Sequence, residues 1–242
     1  MGVKVLVLGA AGKIARHAIH QFLEEEGVEL TLYLRRSSRL KQQESDRVTV
    51  IEGDVTDTRH LQEVAQGQDV VYANLGGDDI EDQAKSVVAA LDAAGVQRLI
   101  WISTLGIYDE VPGAFGKWNH QMLDGGYLEP YSAAARVIEG SKLDYTIIRP
   151  AWLTDHDEVN YELTQKGEPF KGTEVSRKSV ADLVVKLAKD SSRDVRGSLG
   201  VDKPGTDGPK PSWYWLDRLL FLRKTWVNLR RLWAGRRETG AK

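Results

Sequence analysis

The stretch MGVKVLVLGAAGKIARHAIHQF, residues 1 to 22, decides the fold. Its apolar run, Val3 to Leu8, is too short for a good helix and is stopped by Gly9, so it reads as a strand buried on both faces. From Lys13 the apolar residues Ile14, Ala18, Ile19, Phe22 and Leu23 recur at helical spacing. Strand, glycine turn and helix in that order leave uncommitted backbone N–H groups at the helix start, which is a place to put phosphate.

Working outward, strands are expected near residues 29 to 34, near 47 to 52, in DVVYANLGG and in QRLIWISTLG. Between them, VTDTRHLQEVAQG gives a short helix and IEDQAKSVVAALDAAG a longer one that stops at Gly95. Strands alternating with helices at this spacing imply an α/β fold with a doubly wound parallel sheet. Residues Tyr108 to Pro130 read as an irregular loop containing Gly113, Gly116, Gly125 and Gly126, followed by a helix over 131 to 141 and a strand in LDYTIIRP. Residues 151 to 175 look like an excursion of loops and short pieces, and SRKSVADLVVKLAKD is the last helix of the body. The expected organisation is a nucleotide-binding body over 1 to 203, with a substrate region at about 151 to 178. A Pro/Gly-rich linker over 204 to 211 and a basic amphipathic helix over 212 to 236 complete it.

The 242 residues carry a net charge of −2, but the charge is uneven. Residues 211 to 242 hold eight Lys or Arg against Asp217 and Glu238, which leaves 25 basic against 33 acidic residues in the remainder. The body therefore has no electrostatic case for binding nucleic acid. Cysteine is absent, which excludes a disulfide framework, a thiolate metal site and a cysteine nucleophile. Polar, helical sequence follows the first strand at once where a signal peptide would need a longer apolar region, so the reading is a cytoplasmic protein.

In the turn, Gly9 permits the tight bend, Gly12 lets the backbone approach a pyrophosphate, and small Ala15 lets helix and strand pack closely. The second strand ends Leu34-Arg35-Arg36-Ser37-Ser38, where an NAD-preferring site usually has a carboxylate. Arg35 and Arg36 can grip a 2′-phosphate, no carboxylate stands near them in the sequence, and the cofactor implied is NADP. Asp54 and Val55, after the third strand, are candidates to flank adenine. Asn74, Leu75 and Gly76, after the fourth, are placed to run close to the cofactor.

LGAAGKIA, the following GDV, ANLGG, WIST, and DYTIIRPAWL with SRKSVA together resemble the atypical short-chain dehydrogenase/reductase group, the NAD(P)H-binding, NmrA-like Rossmann proteins, over about residues 3 to 203. The resemblance implies a Rossmann domain with a small C-terminal substrate region. It also implies one of two activities: NADPH-dependent reduction, or dinucleotide binding by a regulator with little turnover. It assigns Gly9, Gly12, Lys13 and Ile14 to the pyrophosphate and places Ser103 or Thr104, Tyr131 and Pro150-Ala151-Trp152 at the nicotinamide end.

Catalysing members of the wider superfamily use a serine, a tyrosine and a lysine four positions after that tyrosine. Ser103 and Tyr131 fall in that order, but the lysine position holds Ala135 and Arg136 comes one residue late, about 100° around a helix. Tyr131 is then either an orienting hydrogen-bond donor or a packing residue, and a quinone, flavin or other carbonyl compound stands as the small-molecule substrate. The run TDHDE at 154 to 158 does not make a metal site, because adjacent side chains diverge.

In the tail, Trp215, Leu219, Leu222, Trp226, Leu229 and Trp233 form one apolar stripe if helical, with arginines off it. Such a stripe suits packing on the chain's own body, a homodimer or other partner-docking contact, or a peripheral membrane contact. It does not suit a bilayer span, because charges interrupt it short of roughly 20 residues.

Overall fold

A computed structural model describes residues 2–123 and 125–214, so the tail stripe lies outside the described residues. Strand β1 (Val3–Leu8), helix α1 (Lys13–Glu24) and strand β2 (Val28–Leu34) realise the opening stretch as a strand, a glycine turn and a helix. After two short 3-10 turns come β3 (Val48–Glu52), α2 (Thr58–Ala65), β4 (Val70–Ala73), α3 (Ile80–Ala94) and β5 (Arg98–Ile102). The second half runs α4 (Gly113–Leu123), α5 (Leu128–Glu139), β6 (Asp144–Pro150), β7 (Trp152–Thr154), β8 (Glu162–Gln165), β9 (Glu174–Ser176), α6 (Arg177–Lys189) and β10 (Gly197–Asp202).

Among the described residues the main sheet has eight strands in the order β3-β2-β1-β4-β5-β6-β10-β8; every neighbouring pair is parallel except β10 with β8. Helices cover both faces. α1 and α6 pack together over Val5, Val7 and Ile100, while α2, α3 and α5 pack over Leu6, Leu8 and Trp101. Alternate residues of β1 thus enter opposite cores, as a strand buried on both faces requires. The chain order reverses between β1 and β4, and in open α/β sheets a ligand sits in the crevice at that switch.

Three expectations are corrected. The segment 108 to 130 contains a helix, α4, in which Phe115, Trp118 and Asn119 are buried. Gly116 weakens its helical signal but is required there, since a Cβ would stand 1.9 Å from the Val111 carbonyl oxygen. Residues 197 to 202 form a full strand, β10, whose Gly200 leaves room for Thr164 and Phe170. Within the excursion, β8 joins the main sheet while β7 and β9 pair separately.

Candidate functional site

The C-terminal ends of β1 to β4 open into a cavity of about 740 Å³. Gly9, Ala11, Gly12 and Lys13 form its floor, Arg35, Arg36 and Arg39 one end, and Asp54, Val55, Asn74, Leu75, Gly76, Asp79 and Gln83 its other walls. Gly9 adopts φ 70°, the left-handed region glycine enters without steric cost, and a Cβ on it would stand 2.3 Å from the Asn74 carbonyl oxygen. A Cβ on Gly12 would lie 1.9 Å from the Asn74 amide nitrogen. The two glycines are therefore needed to admit Asn74 as much as any ligand, a partner the glycine spacing alone does not show.

Gly12 caps α1 without a side-chain hydrogen bond, and no acidic residue occupies the first turn. The helix start thus turns orphan N–H donors and its partial positive charge toward the cavity, which fits a pyrophosphate. Lys13 lines the same floor, and its Nζ lies 3.3 Å from Asp155, which also pairs with Arg177 at 2.6 Å. Those two cations hold the Asp155 carboxyl below the usual carboxylate range. Asp157 pairs with Lys178 and Glu158 with Lys203, so the carboxylates of the TDHDE run each face a different cation.

At the arginine end, the Tyr33 hydroxyl donates to the Asp54 carbonyl at 3.0 Å and lies under Gly53, where a Cβ would approach it to 2.1 Å. Burial, with Asp57 and Asp54 nearby, pushes the Tyr33 phenol up to about 12. Asp54 accepts from the Thr56 N–H at 3.0 Å and hydroxyl at 2.8 Å; these bonds, with help from Arg35, hold its carboxyl low. Contrary to the sequence expectation, a carboxylate does stand near the arginines, since Asp54 feels the charge of Arg35, and Glu52 accepts from Ser37, the residue after Arg36. Arg39, a third cation in the wall, was missed because it follows a turn rather than a strand end.

The expected nicotinamide-end residues do not line this cavity. Ile14 is buried in the core beside α1's other apolar residues, leaving only its backbone toward the helix start. Ser103 follows β5 with its hydroxyl buried and without a partner among the described residues, and Thr104 beside it is half-buried. Tyr131 is buried, yet it reaches the cavity wall from behind, since a Cβ on Gly76 would stand 2.9 Å from its hydroxyl. Its ring stacks on Tyr127 at 4.8 Å. Burial pushes the Tyr127 phenol up. Ala135 is fully buried against α3, and Arg136 donates to Ser132 at 3.2 Å. Pro150 ends β6, Ala151 joins it to β7, and Trp152 donates to Asn119 at 3.0 Å while packing on Trp118 at 4.8 Å.

Behind these lies a buried ion pair that sequence reasoning missed, Arg149 with Glu110. Glu110 also accepts from the Gly106 and Tyr108 N–H groups, and Arg149 donates to Ser198. An arginine inside the apolar run YTIIRP was its one sequence signal. Among the described residues no helix is long and apolar enough to cross a membrane.

A sequence model described as NAD(P)H-binding matches residues 9–191. The chain is similar to a Rossmann-fold NAD(P)-binding family protein from Shigella flexneri, with 43% identity, a TM-score of 0.76, and coverage of 87% of this chain and 98% of that one. It is also similar to a short-chain dehydrogenase/reductase from Veillonella parvula, described in complex with NADP. There the identity is 32% and the TM-score 0.81, over 88% of this chain and all of the other. Among curated proteins it is 23% identical over 210 residues, 80% of this chain and 92% of the relative, to an uncharacterised sugar epimerase, YhfK, of Bacillus subtilis.

Proposed function

The chain belongs to the NAD(P)H-binding, NmrA-like family of atypical short-chain dehydrogenases/reductases, and on that premise we propose that it is an NADP(H)-dependent oxidoreductase acting on a small-molecule acceptor. The observation that carries the NADP preference is the cluster of Arg35, Arg36 and Arg39 in one end of the cavity. Three guanidinium groups there offer charge-assisted, bidentate bonds that a 2′-phosphate accepts and a 2′-hydroxyl cannot match. The NADP complex of the Veillonella parvula relative supports the same reading.

In this reading Gly9, Gly12, Lys13 and the Ile14 backbone hold the pyrophosphate, Asp54 and Val55 flank the adenine, and Asn74, Leu75 and Gly76 lie along the cofactor. Pro150, Ala151 and Trp152 back the nicotinamide end, and the bound dinucleotide supplies hydride. Ser103 and Tyr131 orient the acceptor oxygen by hydrogen bonding. Because Ala135 brings no cation to Tyr131, the acceptor is one that takes hydride with little help from a protein acid: a quinone, a flavin or an activated carbonyl compound. Residues 1 to 203 act as the binding unit, and the segment from 212 onward serves a dimer or membrane contact.

The test is a fluorescence titration of the protein with NADPH and with NADH, followed by NADPH oxidation assayed against quinones, flavins and carbonyl compounds. Tight NADPH binding with weaker NADH binding and turnover on one of these classes is expected; equal affinities refute the NADP preference. Binding without turnover on any acceptor favours a second reading, a dinucleotide-sensing regulator, which the fully buried Ala135 and the Arg136–Ser132 bond also support.

A further inference from the structure

The turn that carries the arginines is anchored twice. Leu40 is buried in the core at one side, and at the other Ser37 donates both its N–H, at 2.8 Å, and its hydroxyl, at 2.7 Å, to a single oxygen of Glu52. Between these anchors the Arg39 N–H bonds to the Arg36 carbonyl at 3.2 Å and the Leu40 N–H to the Ser37 carbonyl at 2.9 Å. Arg36 and Arg39 line the cavity, whereas Ser37 and Glu52 do not. Glu52 is itself firmly placed: it ends β3 in register with Leu34, and the next residue, Gly53, bonds back to the Leu34 carbonyl at 3.1 Å.

We propose that Glu52 is a positioning residue for the 2′-phosphate site, capping the start of the 3-10 turn at Ser37 and so holding Arg36 and Arg39 against the cavity. The proposal rests on the NADP reading above for its consequence in binding, though not for its geometry. A carboxylate at the N-terminal end of a helical turn satisfies donors that would otherwise bond water, and here neither the carboxylate nor its donor lines the cavity. The opposite role, a negative charge that weakens phosphate binding, predicts the opposite response to substitution.

Two measurements on the full chain decide it. In cofactor titrations, Glu52→Ala is expected to weaken NADPH about tenfold while leaving NADH within about twofold, which is about 1.4 kcal/mol of selectivity. Glu52→Gln, whose amide oxygen still accepts from Ser37, should stay near the unmodified protein, and Ser37→Ala should fall between. In limited trypsin digestion without cofactor, Glu52→Ala should be cut after Arg36 and Arg39 several times faster than the unmodified protein, and Glu52→Gln should not.

Tighter NADPH binding in both Glu52 variants would overturn the proposal in favour of simple repulsion. Equal weakening of both cofactors would overturn it in favour of general sheet support. If the unmodified protein binds NADPH and NADH alike, the NADP reading fails while the digestion still judges Glu52, and an unchanged tryptic pattern in Glu52→Ala sinks the positioning role.

Discussion

The two ends of the binding crevice are built differently. At the dinucleotide end, the ends of β1 to β4 present backbone donors, glycines and three arginines to an open cavity. At the end proposed for the acceptor, around β5, β6 and α4, Arg149 answers to Glu110 and Trp152 to Asn119, Tyr131 stacks on Tyr127, and the Ser103 hydroxyl has no partner among the described residues. A ligand of constant shape can be met by a rigid backbone cradle, and such a cradle is written in short contiguous motifs. The end proposed to face the substrate is assembled from segments far apart in the chain, whose charged groups are largely paired with one another.

The comparison is tested most severely at Glu110. Removing its carboxylate leaves the fully buried Arg149 guanidinium without its ion partner and frees the Gly106 and Tyr108 N–H groups. Glu110→Ala should destabilise the fold by about 3–5 kcal/mol in denaturant unfolding. The fraction that folds should bind NADPH with nearly unchanged affinity. A parallel loss of cofactor affinity would show that the two ends are not separate.

Gly9→Ala strikes the other end. Its Cβ would meet the Asn74 carbonyl oxygen at 2.3 Å from a φ of 70°, so backbone must shift. Left-handed strain and overpacking together are expected to cost roughly 2–4 kcal/mol, and dinucleotide binding should become undetectable by fluorescence titration. Retained binding would mean that the turn adapts and the cradle is not rigid.

Replacing Arg35, Arg36 and Arg39 together with Ala should cost about 2–3 kcal/mol of NADPH affinity and little NADH affinity, in line with hydrogen bonds to charged groups. Similar losses for both cofactors would assign the arginines to the shared part of the dinucleotide.

The same contrast explains what could be read from the chain. β1, the glycine turn and α1 are legible because apolar period and breaker residues lie within a few positions of each other. β10 was not, because its Gly200 reflects a close approach by Thr164 and Phe170 that only the folded sheet creates. Helix α4 was hidden by Gly116 for the same kind of reason, the nearby Val111 carbonyl. In the site, Arg35 and Arg36 announce themselves at a strand end, whereas Glu52 acts through Ser37, a neighbour fifteen positions away. Glu110 likewise acts through Arg149, far along the chain.

Charge stored in the interior of the acceptor half also carries a pH signature. Asp202 on β10 is fully buried, accepts the Gly172 N–H at 2.9 Å, and is pushed up to about 6 by burial. A raised carboxylate binds its proton more tightly in the folded state than in the unfolded one. Its penalty is therefore absent below about pH 4 and fully present above about pH 6. Asp202→Asn should raise stability by on the order of 1–2 kcal/mol at pH 7.5 and by almost nothing at pH 4. A constant difference across that range would mean that Asp202 does not titrate there.

The smallest expected effect falls at the seam between the two ends, on Tyr131. Its hydroxyl touches the cavity wall behind Gly76, yet the position four residues on is Ala135, packed against α3, and the nearest arginine in sequence is engaged with Ser132. In the proposed reading a phenol placed this way orients the acceptor, with no cation at the expected position to prime it as an acid. General acid–base catalysis by a primed group contributes about 100-fold to 10,000-fold, so Tyr131→Phe should lower kcat on an acceptor that is turned over by less than about tenfold. A loss of several hundredfold would make Tyr131 the proton donor after all. It would also place the supporting group on Tyr127, whose ring stacks on that of Tyr131. Tyr127→Phe separates the cases: it should reproduce the large loss if the tyrosine pair works as one acid, and leave kcat within about twofold if Tyr131 only orients.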